Sequence, residues 1–133
     1  MQALRNKSKY TGVKRIFFTT KCALEGLFYA YKYEKSLFLH GVLSILAIIL
    51  GFVLNISHIE WSVMLVSLAV ILAFELVNTA MEACVDMVTL EYHELAKIAK
   101  DCCGAATFVM SMTGLVICGV IFLPKVLYLL GIM

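Results

Sequence analysis

Charged residues are scarce in this chain of 133 residues: Asp, Glu, Lys and Arg make up 15% of it, against about a quarter of an average soluble domain. Hydrophobic residues make up 62%, which is more apolar surface than one small core can bury in water. Intrinsic disorder is excluded because it requires low hydrophobicity. The composition therefore indicates an integral membrane protein.

An excess of one charge sign and several common motifs are also missing. Eleven basic and nine acidic residues give a net charge of +2, which provides no reason to expect a nucleic-acid partner. The five cysteines are odd in number and include no C-x-x-C pair, which favours free thiols over a disulfide framework. Neither G-x-x-x-x-G-K-[ST] nor G-x-G-x-x-G occurs, so any ATP site must form without these phosphate-binding loops.

Proline is nearly absent, and no proline interrupts three long apolar stretches. Each is longer than the roughly 20 residues that a helix needs to cross a bilayer. The transmembrane helices predicted from them cover about residues 36–57, 61–87 and 99–124, and we expect the last helix to end at Pro124. No cleavage pattern follows the first stretch, so we expect no secretory signal peptide. The sequence predicts an all-α integral membrane fold with three transmembrane helices.

Residues 11–35 precede the first apolar stretch and differ from it in kind. Phe17, Leu24 and Phe28 recur at helical spacing, and lysines and arginines occupy the other faces. This pattern predicts an amphipathic helix that lies in the membrane interface. We expect residues 1–10 to be a disordered basic leader.

The basic residues also predict an orientation. Eight of the eleven precede residue 36, Lys97 and Lys100 lie in the second link, and Lys125 follows the third stretch. The positive-inside rule then places the N-terminus and the second link in the cytoplasm and the C-terminus outside, with Lys125 as an exception.

A stripe of polar residues marks the second apolar stretch. Asn78, Glu82 and Asp86 follow Glu75 at offsets of three, seven and eleven, so at about 100° per residue they share one face of a helix. A solvated helix end explains Asp86, but it does not explain Glu75 and Asn78, which apolar residues flank. Ionisable groups within a membrane are costly and usually functional. We therefore predict a functional site at this face.

The residue types allow more than one function. Mg²⁺ binds carboxylate oxygens, and phosphoryl transfer needs such a metal, a cation near the phosphates and a base. The stripe, together with Glu34, Lys97, Lys100 and Asp101, makes a lipid kinase one interpretation. A proton-coupled transporter with Glu75 as its binding acid is the alternative from another class. A non-catalytic membrane scaffold is a third.

Two segments carry a resemblance to a known family. Residues 75–86 read ELVNTAMEACVD, and residues 91–101 read EYHELAKIAKD. They are similar to the two motifs of the prokaryotic diacylglycerol kinase and undecaprenol kinase family, small lipid kinases of the bacterial cell membrane. The similarity extends from about Arg15 to Lys125. It implies ATP as co-substrate, Mg²⁺ as cofactor, and a homotrimer whose active sites are shared between subunits at the cytoplasmic interface.

The resemblance also implies roles for individual residues. Glu75 corresponds to the catalytic base that takes the proton from the lipid hydroxyl, and Asn78 belongs to the same catalytic cluster. Glu34 and Glu82 match the carboxylates that hold the metal. Substrate-binding positions match Arg15, Glu75 and Asn78. Nucleotide-contacting positions match Arg15, Glu34, Glu82, Glu91, Tyr92, His93, Lys100 and Asp101.

Some of these residues have simpler interpretations. Lys100 and Asp101 also suit a charged helix start. His93 also suits a solvated loop. His40, one turn inside the first apolar stretch, is interpreted as an interfacial residue, and Gly114 as a small residue that allows close helix packing.

The lipid is predicted from two shorter similarities. Residues 56–61 (ISHIEW) and 123–125 (LPK) are similar to undecaprenol kinases of Gram-positive bacteria. We therefore expect undecaprenol as substrate, with diacylglycerol as the alternative. The chain departs from many of these relatives at residues 35 and 36, which are Lys and Ser instead of Arg and Asn.

Overall fold

The computed structural model describes residues 11–132, which form four α-helices. These are α1 (Val13–Tyr33), α2 (Lys35–Val53), α3 (His58–Val88) and α4 (Glu94–Leu129). The chain forms two compact units, the first ending at Lys35 and the second beginning at Ser36. The predicted all-α fold is confirmed, and the leader expected at residues 1–10 lies outside the described residues.

Three of the helices, α2, α3 and α4, are long and apolar enough to cross a membrane, with mean hydropathies of 2.4, 2.1 and 2.2 over their most apolar segments. Many of their large side chains are exposed, including Phe52 at 70% and Val120 at 71%. Such faces are expected of helices that contact lipid or another chain. The five cysteines are free thiols, as predicted.

Helix α2 ends four residues earlier than predicted because the chain turns at Asn55. This residue has a φ of 47°, in the left-handed region that Asn enters more readily than most residues. The N–H of Asn55 donates to the carbonyl oxygen of Phe52 at 3.3 Å, and that of Ile56 donates to Gly51 at 3.2 Å. This is the Schellman pattern, which satisfies the last carbonyls of a helix.

Helix α3 begins three residues before the predicted boundary, directly after a capping box. The N–H of Glu60 donates to Ser57 Oγ at 3.3 Å, and the N–H of Ser57 donates to Glu60 Oε2 at 2.6 Å. Lys125, the exception in the charge distribution, lies 3.2 Å from the same carboxylate oxygen. Its charge is therefore paired with an acid at this end of the bundle.

Helix α4 begins at Glu94 and continues to Leu129, so the prediction that it ends at Pro124 is wrong. Proline cannot donate to the carbonyl of Val120, and its ring disfavours a helix interior. The helix instead ends before Gly131, which has a φ of 68°. The N–H of Gly131 donates to Tyr128 and that of Ile132 donates to Leu127, both at 3.1 Å, so a Schellman motif satisfies the last carbonyls there.

At 1.5 Å per residue, α3 is about 46 Å long and α4 about 54 Å, whereas a bilayer core is about 30 Å thick. Both helices are therefore long enough to extend beyond the hydrocarbon region at the α3–α4 link.

The apolar core lies near the α2–α3 turn. Ala47, Ile56, Met64 and Ile121 are buried there. Elsewhere, the backbones of α3 and α4 approach closely, and a Cβ at Gly114 would collide with the side chain of Ile71, which confirms the predicted close packing.

We predict that Gly51→Ala destabilises the fold. The added methyl group would lie 2.8 Å from Cη2 of the Trp61 ring and 3.2 Å from Cδ1 of Ile56, so the side chains around it must shift. Overpacking of this kind costs about 1–3 kcal/mol. Thermal unfolding in detergent measures the change, with Gly119→Ala as the control because its Cβ would meet nothing within 4 Å. Equal melting temperatures for the two variants would contradict the prediction.

Candidate active site

Glu75 lies inside the bundle on α3, with 4% of its surface exposed. Both of its carboxylate oxygens contact α2. Ser36 Oγ donates to Oε2 at 2.8 Å, and His40 Nε2 lies 3.1 Å from Oε1. A buried carboxylate needs such partners because it has lost its contacts with water. Glu75 is therefore a specifically held acid, and it does not lie on the lipid-facing surface.

The structure corrects the interpretation of His40 as an interfacial residue. Its ring reaches Glu75 on α3, and Nε2 also lies 3.2 Å from Ser111 Oγ on α4. Sequence reasoning therefore missed Ser36, His40 and Ser111 as site residues. A signal existed, because Ser36 and His40 are polar, four residues apart and on one helical face at the start of an apolar stretch.

Asn78 and Glu82 form the next pair along the stripe. Asn78 Nδ2 donates to Glu82 Oε1 at 2.9 Å. Asn78 Oδ1 is buried and has no hydrogen-bond partner among residues 11–132. A buried acceptor without a partner costs free energy. This oxygen is therefore suited to bind a cation or to accept a hydrogen bond from a ligand. Amide and carboxylate oxygens are the donors that Mg²⁺ prefers, so the pair fits such an ion.

The other predicted metal ligand, Glu34, lies in the first compact unit. It follows the last residue of α1, and its N–H donates to the carbonyl oxygen of Ala30 at 2.8 Å. Arg15 lies in the first turn of the same helix. Within residues 11–132, no group of three or more His, Cys, Asp and Glu side chains is placed to hold a metal ion. The joint role of Glu34 and Glu82 therefore stays a prediction.

Two ion pairs follow at the α3–α4 link. Lys100 Nζ on α4 lies 2.5 Å from Asp86 Oδ1 on α3, and Lys97 Nζ lies 2.6 Å from Asp101 Oδ2 one turn away on α4. The first pair joins the two helices where they extend past Glu75. It places a cation next to the last member of the acidic stripe.

An open cleft of about 390 Å³ lies at the same end. All five nucleotide-contacting positions that the resemblance implies for the link and α4 line it. His93 also caps α4, because its Nδ1 accepts the N–H of Leu95 at 3.2 Å. The cleft is lined by Val85, Asp86, Thr89, Leu90, Glu91, Tyr92, His93, Ala96, Lys97, Lys100 and Asp101.

Glu75, the Asn78–Glu82 pair and the cleft at Asp86 follow one another along α3. Glu82 is seven residues beyond Glu75 and Asp86 is eleven, which corresponds to about 10 and 16 Å along the helix axis. A buried carboxylate, a pair of hard oxygen ligands and a cleft with two lysines therefore follow one another from the bundle interior to its end.

Comparison with known proteins identifies the family of this chain. The family model described as prokaryotic diacylglycerol kinase matches residues 21–122. The undecaprenol kinase of Bacillus subtilis strain 168 is 32% identical over 120 residues, which cover 90% of this chain and 98% of that protein.

Two further relatives are named diacylglycerol kinase. The diacylglycerol kinase of Haemophilus influenzae is 36% identical over 115 residues, covering 86% of this chain and 98% of that protein. The diacylglycerol kinase of Pseudomonas aeruginosa is 39% identical over 99 residues, covering 74% of this chain and 80% of that protein. The range matched by the family model includes every predicted site residue except Arg15.

We predict that the Asp86–Lys100 pair contributes little to stability. The two side chains are 48% and 39% exposed, and exposed ion pairs contribute up to about 1 kcal/mol. Asp86→Asn should therefore leave the denaturation midpoint close to that of the wild type. Denaturation of the purified protein in detergent micelles measures this midpoint. A large fall in the midpoint would show that the pair holds the helices together.

Proposed function

The chain belongs to the prokaryotic diacylglycerol kinase family and is a phosphotransferase with an alcohol group as acceptor, and on this premise we propose that it transfers the γ-phosphoryl group of ATP to the primary hydroxyl of undecaprenol. The observation that carries the proposal is the burial of Glu75 in a bundle of membrane-spanning helices, in line with Asn78, Glu82 and the lysine-lined cleft. A lipid hydroxyl reaches such a depth without leaving the membrane.

In this proposal Glu75 acts as the general base. It takes the proton of the lipid hydroxyl, whose oxygen then attacks the γ-phosphorus while the bond to the bridging oxygen of ADP breaks. Ser36 and His40 hold the carboxylate in place. A base needs to be within hydrogen-bond reach of the proton that it removes, which is why its side chain must be fixed.

Asn78 and Glu82 are the residues of α3 that would hold Mg²⁺, together with Glu34 if a subunit brings α1 to this position. When bound, the ion neutralises charge on the transferring phosphoryl group. Asn78 Nδ2 keeps Glu82 Oε1 in a fixed position, and Asn78 Oδ1, which no described residue contacts by a hydrogen bond, has a lone pair available.

The cleft at the α3–α4 link would bind the nucleotide. Lys97 and Lys100 supply positive charge for the phosphates, and each is paired with an aspartate. Phosphate oxygens compete for the same N–H donors. Tyr92 and His93 line the cleft and are available to contact the remainder of the nucleotide. Arg15 and Glu91 are proposed as further nucleotide contacts.

Undecaprenol remains the preferred lipid, and diacylglycerol remains the alternative. The similarity of residues 56–61 to undecaprenol kinases is weaker evidence for the lipid than the sequence alone indicated, because Ser57 and Glu60 of this segment cap α3. They precede Glu75 by 18 and 15 residues, at least about 22 Å along the helix. Identities of 32–39% to relatives of both names do not separate the two substrates.

We further propose a homotrimer in the bacterial cell membrane, with α1 in the cytoplasmic interface, the N-terminus inside and the C-terminus outside. The exposed apolar faces of α2–α4 support an assembly in the membrane. Shared active sites would let α1 of one subunit supply Arg15 and Glu34 to another. The transporter alternative gives no role to the lysine-lined cleft.

The purified protein should label a lipid when it is incubated with γ-labelled ATP and Mg²⁺ in detergent. We expect phosphorylation of undecaprenol to exceed that of diacylglycerol in parallel reactions. A faster reaction with diacylglycerol would reverse the substrate assignment, and no label in either lipid would refute the kinase proposal.

Glu75→Gln should abolish turnover, because the amide keeps the size of the side chain but cannot accept the proton. General-base catalysis contributes about 10²- to 10⁴-fold, so the loss should reach at least two orders of magnitude. Glu60→Gln is the matched control on the same helix and should retain wild-type turnover. Activity within a few-fold of wild type in the Glu75 variant would remove Glu75 from this role.

Glu82→Gln and Glu34→Gln should each raise the Mg²⁺ concentration needed for half-maximal activity. Loss of one carboxylate removes a charged ligand from the proposed site. The measurement is a Mg²⁺ titration at saturating ATP and lipid, with Glu60→Gln again as control. An unchanged Mg²⁺ requirement in either variant would exclude that residue as a ligand.

A further inference from the structure

We infer that His40 is a positioning residue, whose Nε2–H holds the carboxylate of Glu75 in the orientation needed to accept the lipid proton. This inference rests on the proposed function, because it assigns Glu75 the role of base. It adds a residue that neither sequence motif contains. Its first support is the 3.1 Å contact between Nε2 and Glu75 Oε1.

The hydrogen-bond network is the basis on which we assign the ring proton of His40 to Nε2. Ser111 Oγ donates its hydrogen to the carbonyl oxygen of Thr107 at 2.8 Å, so it offers only lone pairs to His40. A carboxylate that acts as a base likewise offers only lone pairs. Nε2 therefore has two acceptors as neighbours, Glu75 Oε1 at 3.1 Å and Ser111 Oγ at 3.2 Å. Only a protonated Nε2 satisfies both.

The second donor to Glu75 comes from the same helix. Ser36 and His40 are one turn apart on α2, and each reaches a different carboxylate oxygen. Two donors on separate oxygens fix the rotation of the carboxylate group. Each oxygen has two lone pairs, so one on each remains available for the lipid hydroxyl.

The next turn of α2 supports the position of His40. Ser44 Oγ donates to the carbonyl oxygen of His40 at 2.7 Å, and Ser44 itself is buried. An imidazole among apolar helices is costly unless its polar atoms find partners, and leucine would fill a similar volume at lower cost. The histidine is therefore explained by its donor to Glu75 better than by packing.

The test compares two replacements of His40. His40→Leu keeps the volume and removes the donor, whereas His40→Gln keeps an N–H donor at similar reach. We expect kcat of the leucine variant to fall by about 10- to 100-fold with KM for ATP unchanged, since misplacement of a reacting group has effects of this size. The glutamine variant should stay within a few-fold of wild type. His58→Gln, at the exposed start of α3, is the control.

The outcomes separate the two proposals. Equal losses in the leucine and glutamine variants, or a leucine variant as active as wild type, would overturn the role of His40 while the proposed function stands. A wild-type protein that phosphorylates neither lipid would overturn both. Melting temperatures of the two variants within a few degrees of each other would show that the difference in kcat is not a difference in folding.

Discussion

A carboxylate among apolar helices requires hydrogen-bond partners, and the polar contacts between α2, α3 and α4 are built around Glu75. Ser36 and His40 reach its two oxygens from α2, and Ser111 on α4 contacts the same imidazole. These contacts align three helices at one level. The apolar core at the α2–α3 turn holds the other end, so the site end is free to carry polar groups.

Helices α3 and α4 are long, and the polar site continues along them from Glu75 towards the α3–α4 link. Both continue past Glu75 to a link at which α4 is capped by His93 and joined to α3 by the Asp86–Lys100 pair. The polar groups become more exposed along the way, from Glu75 in the interior to Asp86 and Lys100 in the cleft. This gradient suits a reaction that joins a substrate dissolved in the membrane to a nucleotide dissolved in water.

Hydropathy and periodicity predicted the three membrane helices and the stripe from Glu75 to Asp86, because both properties belong to one helix at a time. They did not predict the end of α2, which depends on a left-handed Asn55, or the passage of α4 through Pro124. The role of His40 was missed for a related reason. Its partners lie 35 and 71 residues away, and only the alignment of three helices brings them together.

The central claim is that the lipid hydroxyl itself attacks the γ-phosphorus, and the most direct test is to follow the oxygen of that hydroxyl. The protein would be given ATP, Mg²⁺ and its preferred lipid alcohol labelled with ¹⁸O, and the phosphorylated lipid analysed by mass spectrometry. We expect the label to be retained in the bond between lipid and phosphorus, because the lipid oxygen is the nucleophile. Loss of the label to water during the reaction would contradict direct attack by the lipid hydroxyl, and with it the role of Glu75.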